Sequence, residues 1–397
     1  MNFLLALSEF KFTILFYSLV LLAVYLNRKR FDAHGKFVLL YRTKFGIGLM
    51  NSIAGKAPRL VKLLGSIGVI AGFAGMTFTF FVVLVLTYKL LLNQPNAAGA
   101  SPVIPGLPIA GTGIVFPLVT GWLVLFVIIL VHEFFHGVVA SAYKIKIKNS
   151  GIAFFGPILG AFVEPDEKEL VKKGHWMQHS VFAAGAFSNF LTVAVVLLIV
   201  ALVLNPAVST FSNGVFISPQ PELAAEKAGI INNTLIIGIN NEKVSTINDF
   251  QRIMKNIGIG TVIELKSNVT TYTLTTIGNP DDKSKGYLGV WVLGEKIELK
   301  SDNIADKILF AIMSWLSQFF GWLGFLSLNI GLINLLPVFI TDGARMLKIF
   351  IEGIVKDKSR SFSIWLFFNW VSLLSLFILV FMPFFRWMSS IIDGVLV

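Results

Sequence analysis

His132, Glu133 and His136 form an H-E-x-x-H pattern within an apolar stretch of the chain. On an α-helix, residues four apart lie on the same face, so the two imidazoles can hold one metal ion. A zinc ion held in this way lowers the pKa of a bound water to about 7 and polarises a carbonyl group. Glu133 can then act as a general base, and later as an acid toward a leaving amine. The pattern therefore predicts a zinc-dependent hydrolytic site.

The sequence around this pattern is typical of a membrane span. No Asp, Glu, Lys, Arg or His occurs between Leu90 and Val131, and the next charged residue after His136 is Lys144. Ionisable side chains inside hydrocarbon are costly unless they have partners or face water. A surface helix carrying these residues by chance is the alternative, and the apolar flanks argue against it. We therefore expect a buried chemical site.

The composition is that of a polytopic membrane protein. Of the 397 residues, 55% are hydrophobic and only 14% are charged. The net charge of +11 does not indicate nucleic-acid binding, because the Lys and Arg residues cluster in short loops between apolar runs. The chain contains no Cys, which excludes disulfides and thiolate metal ligands.

We predict about six transmembrane helices, so the lipid bilayer is one partner of the chain. The corresponding stretches are 12–27, 63–88, 114–143, 180–204, 308–341 and 361–385. The uncharged run 308–341 would be about 50 Å long as one helix, which exceeds a hydrocarbon core of about 30 Å. We therefore expect it to break near Asn334 and Pro337. The first stretch is interpreted as a retained anchor, because it lacks a basic leader and a cleavage site.

Loop charges predict the orientation in the membrane. The basic loops 28–62, 144–173 and 345–360 are expected on the cytoplasmic side. The H-E-x-x-H pattern then lies nearer the cytoplasmic end of its helix, and the segment between the fourth and fifth spans is extracytoplasmic. The absence of a recognisable targeting peptide favours a multi-pass protein of a prokaryotic plasma membrane.

Two segments do not read as spans. The uncharged segment 149–163 is too short to cross the bilayer, and its Gly and Pro residues favour a re-entrant, β-hairpin-like element beside the site. A plain cytoplasmic loop is the alternative. Segment 211–298 has the composition of a small soluble α/β domain. We therefore divide the chain into membrane region 1–210, soluble domain 211–298 and membrane region 299–397.

The soluble domain resembles a PDZ domain. The resemblance rests on LAAEKAGIINNTLIIGINNEKVSTINDF, which reads as a helix, a strand, a turn and a second capped helix. PDZ domains hold extended peptides by strand addition, so this domain is expected to bind a substrate or regulator peptide. A spacer with a closed groove is the alternative.

A catalytic zinc site usually has three protein ligands and one water. Asp342 is the candidate for the third ligand, because it follows the 308–341 run and precedes Gly343, which allows close approach. The alternative is an Asp at a helix end that pairs with Arg345. Spacing alone leaves both open.

Taken together, H-E-x-x-H, Asn-x-x-Pro-x-x-x-x-Asp-Gly from Asn334 to Gly343, and the PDZ-like insert resemble the site-2 protease family of intramembrane zinc metalloproteases. The resemblance implies one Zn²⁺ held by His132, His136 and Asp342, and a transmembrane protein as substrate.

The same resemblance implies that Glu133 is the catalytic base. Asn189, which closes a Gly-x-x-x-Asn element, and Asn334 are expected to contact the substrate or the developing oxyanion. A helix–helix hydrogen bond is the alternative role for Asn189. Thr341 and Ala186 stand where the family commonly has Leu and Pro.

Two rival functions remain open. One is a membrane zinc peptidase that trims soluble or prenylated peptides, although no Glu-based third-ligand motif stands out. The other is a metal transporter that uses His132, Glu133 and His136 as a transit site, although transporters often show internal repeats and none is seen here.

Overall fold

The computed structural model describes residues 10–34, 38–94, 99–109, 112, 114–155, 158–279, 285–299 and 303–395. The chain forms two compact units, Met1–Val196 with Gly321–Val397, and Leu197–Phe320. The helices are α1 Lys11–Leu26, α2 Ile47–Lys56, α3 Pro58–Leu91, α4 Leu118–Ala142, α5 Glu167–Val171, α6 His175–Ile199, α7 Asn205–Ser209, α8 Ala224–Lys227, α9 Ile247–Lys255, α10 Ile304–Leu335, α11 Asp342–Ile354 and α12 Lys358–Val395. The strands are β1 Asp32–His34, β2 Val38–Thr43, β3 Ile147–Phe155, β4 Ile158–Pro165, β5 Ser212–Pro219, β6 Thr234–Ile239, β7 Glu242–Lys243, β8 Val262–Ser267, β9 Thr271–Thr275, β10 Ile277–Gly278, β11 Gly286–Tyr287 and β12 Val290–Ile297.

Within the described ranges, five helical stretches are long and apolar enough to cross a membrane. They are Pro58–Leu91, Leu118–Ala142, His175–Ser209, Ile304–Leu335 and Lys358–Pro383. These stretches identify an integral membrane protein. The first predicted span corresponds to α1, which has only 16 residues, so a sixth crossing stays a prediction.

The uncharged run breaks where it was expected to break. Helix α10 ends at Leu335, and Pro337 lies in the connection, where its missing N–H and fixed φ do not allow the helix to continue. The next helix, α11, begins at Asp342. Thr341 caps it, since its Oγ1 accepts a hydrogen bond from Ala344 N at 3.3 Å and donates one to Leu336 O at 2.6 Å. This cap fixes the start of α11 at Asp342.

The 149–163 segment forms a β-hairpin, so the plain-loop alternative is wrong. Strands β3 and β4 pair antiparallel, with Phe155 opposite Ile158. They extend a sheet whose order is β1-β2-β3-β4, in which β4 lies at the edge. Strands β1 and β2 were not expected, because the basic loop 28–62 was interpreted only from its charges. Re-entry of the hairpin into a bilayer stays a prediction.

The second unit is built around a sheet of order β12-β5-β6-β8-β9, with β7 paired to β6. Its core is a cluster of apolar side chains from the sheet and from α9, among them Ile217, Ile236, Ile263 and Phe250. The helix, the strand and the second capped helix expected from the sequence between 223 and 250 are present as α8, β6 and α9. The PDZ-like character of the unit stays a prediction.

Helix α9 begins with a reciprocal cap. Thr246 Oγ1 accepts a hydrogen bond from Asp249 N at 3.1 Å, and Asp249 Oδ2 accepts one from Thr246 N at 3.0 Å. Partial burial raises the pKa of Asp249, but the hydrogen bonds from Thr246 and Ser245 outweigh it and hold the pKa below its usual value. A carboxyl whose pKa is lower in the folded chain stabilises the fold at neutral pH, and this contribution is lost as the pH falls through the folded-state pKa.

We expect Thr246→Ala to destabilise α9 by about 1 kcal/mol, because it removes the cap acceptor for Asp249 N. Amide hydrogen exchange in the detergent-purified full chain should show faster exchange across α9, with other elements of the sheet unit less affected. Thr246→Ser is the control, since it retains the hydroxyl. Equal protection of α9 in the Ala variant and the wild type would contradict the proposed contribution of the cap.

Candidate metal centre

Helix α4 carries His132 and His136 on its buried face, with only 6% and 8% of their surfaces exposed. The helix also packs against α2, where the side chain of Met50 occupies the space that Gly137 leaves open. Because the two His residues are one helical turn apart, their Nε2 atoms approach each other to 3.3 Å.

Asp342 completes a triangle with the two imidazoles. Its Oδ2 lies 3.2 Å from the Nε2 atom of His132 and 3.2 Å from that of His136. No other group of three His, Asp or Glu side chains within the described ranges converges in this way. In the described part of the chain, Asp342 makes its ion-pair contacts with these two His residues, whereas Arg345 lies over the ring of Phe182. The contact geometry favours the ligand interpretation of Asp342 over pairing with Arg345.

The dimensions of the triangle fit a tetrahedral zinc ion. Zinc bonds of about 2.0–2.1 Å to N and O ligands place neighbouring ligand atoms about 3.3–3.4 Å apart. The observed separations of 3.2 to 3.3 Å match this value. Two lone-pair nitrogens facing each other at this distance repel unless a cation lies between them. The donor set of two imidazoles and one carboxylate also suits zinc.

Gly185 of α6 provides the space for an ion. A methyl group placed on its Cα would overlap Nε2 of both His132 and His136. Any side chain at this position would therefore intrude on the triangle. This glycine begins the Gly-x-x-x-Asn element that Asn189 closes, but the spacing of that element does not connect the glycine with the metal ligands.

The other ring nitrogen of each His also has a partner. His136 Nδ1 lies 2.7 Å from the backbone oxygen of Val181. Since a carbonyl only accepts, Nδ1 donates and Nε2 keeps its lone pair for a metal. His132 Nδ1 faces the side-chain amide of Asn189 at 3.3 Å.

Asp342 reaches the triangle because α11 begins beside the end of α10. Gly343 lies so close to the backbone of Leu335 that a Cβ atom there would overlap the carbonyl group. The glycine after Asp342 is therefore required for this close approach, as its position in the sequence suggested.

The three ligands border a cavity of about 840 Å³. Glu133 and Asn334 line it, and so do residues of β4. Asn189 is not among the lining residues and is completely buried. Thus a substrate in the cavity could reach Asn334, whereas Asn189 lies outside the cavity beside the ring of His132.

The carboxylate of Glu133 contacts the edge of the hairpin sheet. Val163 N donates a hydrogen bond to Glu133 Oε2 at 3.0 Å. Val163 lies opposite Ser150 in the β3–β4 pair, and its N–H bonds to Glu133 rather than to β3. The N–H of Val163 therefore points away from β3, toward the free edge of β4. Sequence reasoning missed this contact and that of Val181, because any residue type supplies a backbone group.

We expect Gly185→Ala to abolish zinc binding, because the added methyl group occupies the ion's position. Elemental analysis of the purified full chain should give about one zinc ion per wild-type chain and almost none for the variant. Gly55→Ala in α2 is the matched control, since no neighbouring atom lies near its Cβ position. A fully zinc-loaded Gly185→Ala protein would show that the ion does not lie in the triangle.

Comparisons with known proteins agree with this geometry. A match to peptidase family M50 covers residues 120–379. An uncharacterized protein of Methanocaldococcus jannaschii is 27% identical over 342 residues, which cover 83% of this chain and 82% of the relative.

Two bacterial relatives carry functional names. The zinc metalloprotease RasP of Oceanobacillus iheyensis is 23% identical over 48% of this chain and 55% of the relative. The regulator of sigma-W protease RasP of Bacillus subtilis is 24% identical over 55% of this chain and 61% of the relative. The alignments thus span little more than half of these two proteins. Together with the match over the site and the helices that carry it, they show that the chain belongs to peptidase family M50, the site-2 protease family.

Proposed function

We propose that this protein is an intramembrane zinc endopeptidase that hydrolyses peptide bonds of transmembrane proteins. One observation carries the proposal: His132, His136 and Asp342 form a triangle of zinc dimensions, and the two His residues lie with Glu133 on a helix long enough to cross a membrane. Membership of family M50 and the names of the two bacterial relatives support it.

The chemistry follows from the groups around the triangle. A bound zinc ion supplies Lewis acidity, which activates water and polarises the scissile carbonyl. Glu133, next to His132 and at the cavity, accepts the proton of the attacking water and returns it to the leaving amine. Asn334, at the cavity wall, is placed to donate its amide N–H to the developing oxyanion.

The free edge of β4 is suited to hold the substrate. A transmembrane helix satisfies its own backbone hydrogen bonds, so it must unwind locally before a carbonyl can be attacked. The N–H of Val163 is held by Glu133, so the backbone groups that we propose pair with such an extended segment are those of Ala161 and the carbonyl of Val163, as in peptide binding by strand addition. Because Val163 also contacts Glu133, this pairing would set the scissile bond beside the base.

The loop charges support a position of the site nearer the cytoplasmic side, where water could enter. We propose that the basic loops 28–62, 144–173 and 345–360 face the cytoplasm of a prokaryotic cell. The unit that contains the sheet β5–β12 would then be extracytoplasmic.

We also propose that this second unit binds an extended peptide from a substrate or a regulator. A cavity of about 320 Å³ lies between α9 and the β11–β12 region, lined by Phe250, Met254, Lys255, Leu288 and Val290. Strand β12 is at one edge of the sheet formed by the described residues. A peptide could add to this edge and place apolar side chains in the cavity.

We expect Glu133→Gln to retain zinc but to lose cleavage of a model transmembrane peptide, because Gln cannot take a proton from water. Zinc content and cleavage in detergent or liposomes are measured on the same preparations. Asp342→Ala is the comparison, since it removes a ligand and should lose both zinc and activity. A fully active Gln variant would exclude Glu133 as the base. Zinc transport into liposomes by a chain that cleaves nothing would favour the transporter instead.

We expect Val163→Pro to lower kcat/KM about five- to tenfold, which corresponds to the loss of one hydrogen bond of about 1 kcal/mol. Proline removes the N–H that donates to Glu133 Oε2 and so frees the base, and edge strands tolerate this change. Val163→Ala is the matched control, because it trims the side chain and leaves the N–H in place. If both variants cleave the peptide like the wild type, the amide of Val163 does not orient Glu133.

A further inference from the structure

Asn189 is completely buried, and its side chain faces the ring nitrogen of His132 that points away from the triangle. Its Nδ2 lies 3.3 Å from His132 Nδ1, and its Oδ1 has no hydrogen-bond partner within the described part of the chain. A buried amide oxygen without a partner is costly, so the orientation of this amide requires an explanation.

The ligand role of His132 determines which partner its Nδ1 needs. Nε2 faces the triangle and must offer a lone pair to bind a cation, so the neutral ring carries its proton on Nδ1. The Nδ2 of Asn189 is also a donor, and two donors cannot bond to each other. Rotation of the amide by 180° exchanges its oxygen and nitrogen, which have nearly the same shape. Oδ1 then accepts the proton of Nδ1, and two buried groups gain a partner.

We infer that Asn189 is a positioning residue that binds His132 Nδ1–H through its side-chain oxygen and so directs Nε2 toward the metal. This inference rests on the proposed function, since it needs an ion in the triangle. It differs from the role expected from the sequence, in which the Asn189 amide contacts substrate or oxyanion. A positioning role suits a residue that is excluded from the cavity.

The arrangement around the second imidazole has the same logic. His136 Nδ1 donates to the backbone carbonyl of Val181, and His132 Nδ1 would donate to the side-chain amide oxygen of Asn189. Both acceptors come from α6. Gly185 lies between them, one turn before Asn189 and on the same helix face. A single helix thus supplies both acceptors and the space for the ion.

The test measures zinc affinity, which does not depend on proteolysis. In Asn189→Leu, the leucine side chain has a size similar to that of asparagine but no hydrogen-bond acceptor. We expect the dissociation constant of this variant for zinc to rise about 10- to 100-fold, the usual effect of losing such a partner. The constant is obtained by chelator competition on the detergent-purified full chain. Asn369→Leu is the matched control, because Asn369 is also completely buried but bonds to the Trp365 carbonyl; its zinc affinity should equal that of the wild type.

Asn189→Asp separates the two possible roles and decides the question if the Leu variant does not fold. A carboxylate keeps the acceptor and removes the N–H donor. The positioning role predicts unchanged zinc affinity and unchanged kcat in Asn189→Asp. An oxyanion contact predicts unchanged affinity with kcat lower by about 10²–10³, which would overturn the inference, as would loss of zinc by this variant.

His132→Ala distinguishes failure of the inference from failure of the proposed function. If the wild type binds no zinc, or His132→Ala binds it equally well, the metalloprotease proposal fails. If His132→Ala loses zinc while Asn189→Leu binds it as tightly as the wild type, only the positioning role is overturned.

Discussion

Two imidazole nitrogens and one carboxylate oxygen lie within 3.3 Å of one another, and the packing of apolar helices has to keep them there. Without a cation between them, the lone pairs of the two nitrogens and of the carboxylate oxygen repel one another. Contacts within the triangle are therefore not enough to hold the three groups together. Its vertices belong to α4 and α11, and α6 closes it from behind. The positions of these helices depend on side chains such as Leu335 and Met346, both completely buried. Close packing of this kind transmits small volume changes, so substitutions remote from the ligands are expected to disturb the site.

Glycines allow the close approach that this packing requires. Gly72 and Gly75 of α3 leave room for Met346 and Leu335, and Gly343 lets α11 start beside the end of α10. Gly185 has a different task, since the space it leaves is bordered by Nε2 of His132 and of His136, where the proposed metal would bind. A glycine within a helix costs about 1 kcal/mol relative to alanine. The chain accepts this cost at places where a methyl group would displace a ligand or the element that carries it.

Side-chain chemistry was more predictable from the sequence than backbone chemistry. H-E-x-x-H and Asp342 pointed to the side chains that the structure brings together, because an ionisable group in an apolar run is conspicuous. Pro337 similarly marked the helix break, and glycines marked the hairpin. Strands β1 and β2 were missed because the basic residues around them dominated the interpretation. The amide of Val163 and the carbonyl of Val181 carry no signal in residue type. Asn189 was visible as a residue, but only the fold shows which side of His132 it faces.

The separation of the ligands along the chain has a consequence for biosynthesis. His136 and Asp342 are 206 positions apart, and the helix that carries the aspartate follows four of the five stretches able to cross a membrane. A nascent polypeptide that has left the ribosome only as far as Pro337 possesses two imidazoles and no third ligand. The proposed hydrolytic site therefore cannot be completed before Asp342 and the four preceding apolar stretches of the described chain have been translated.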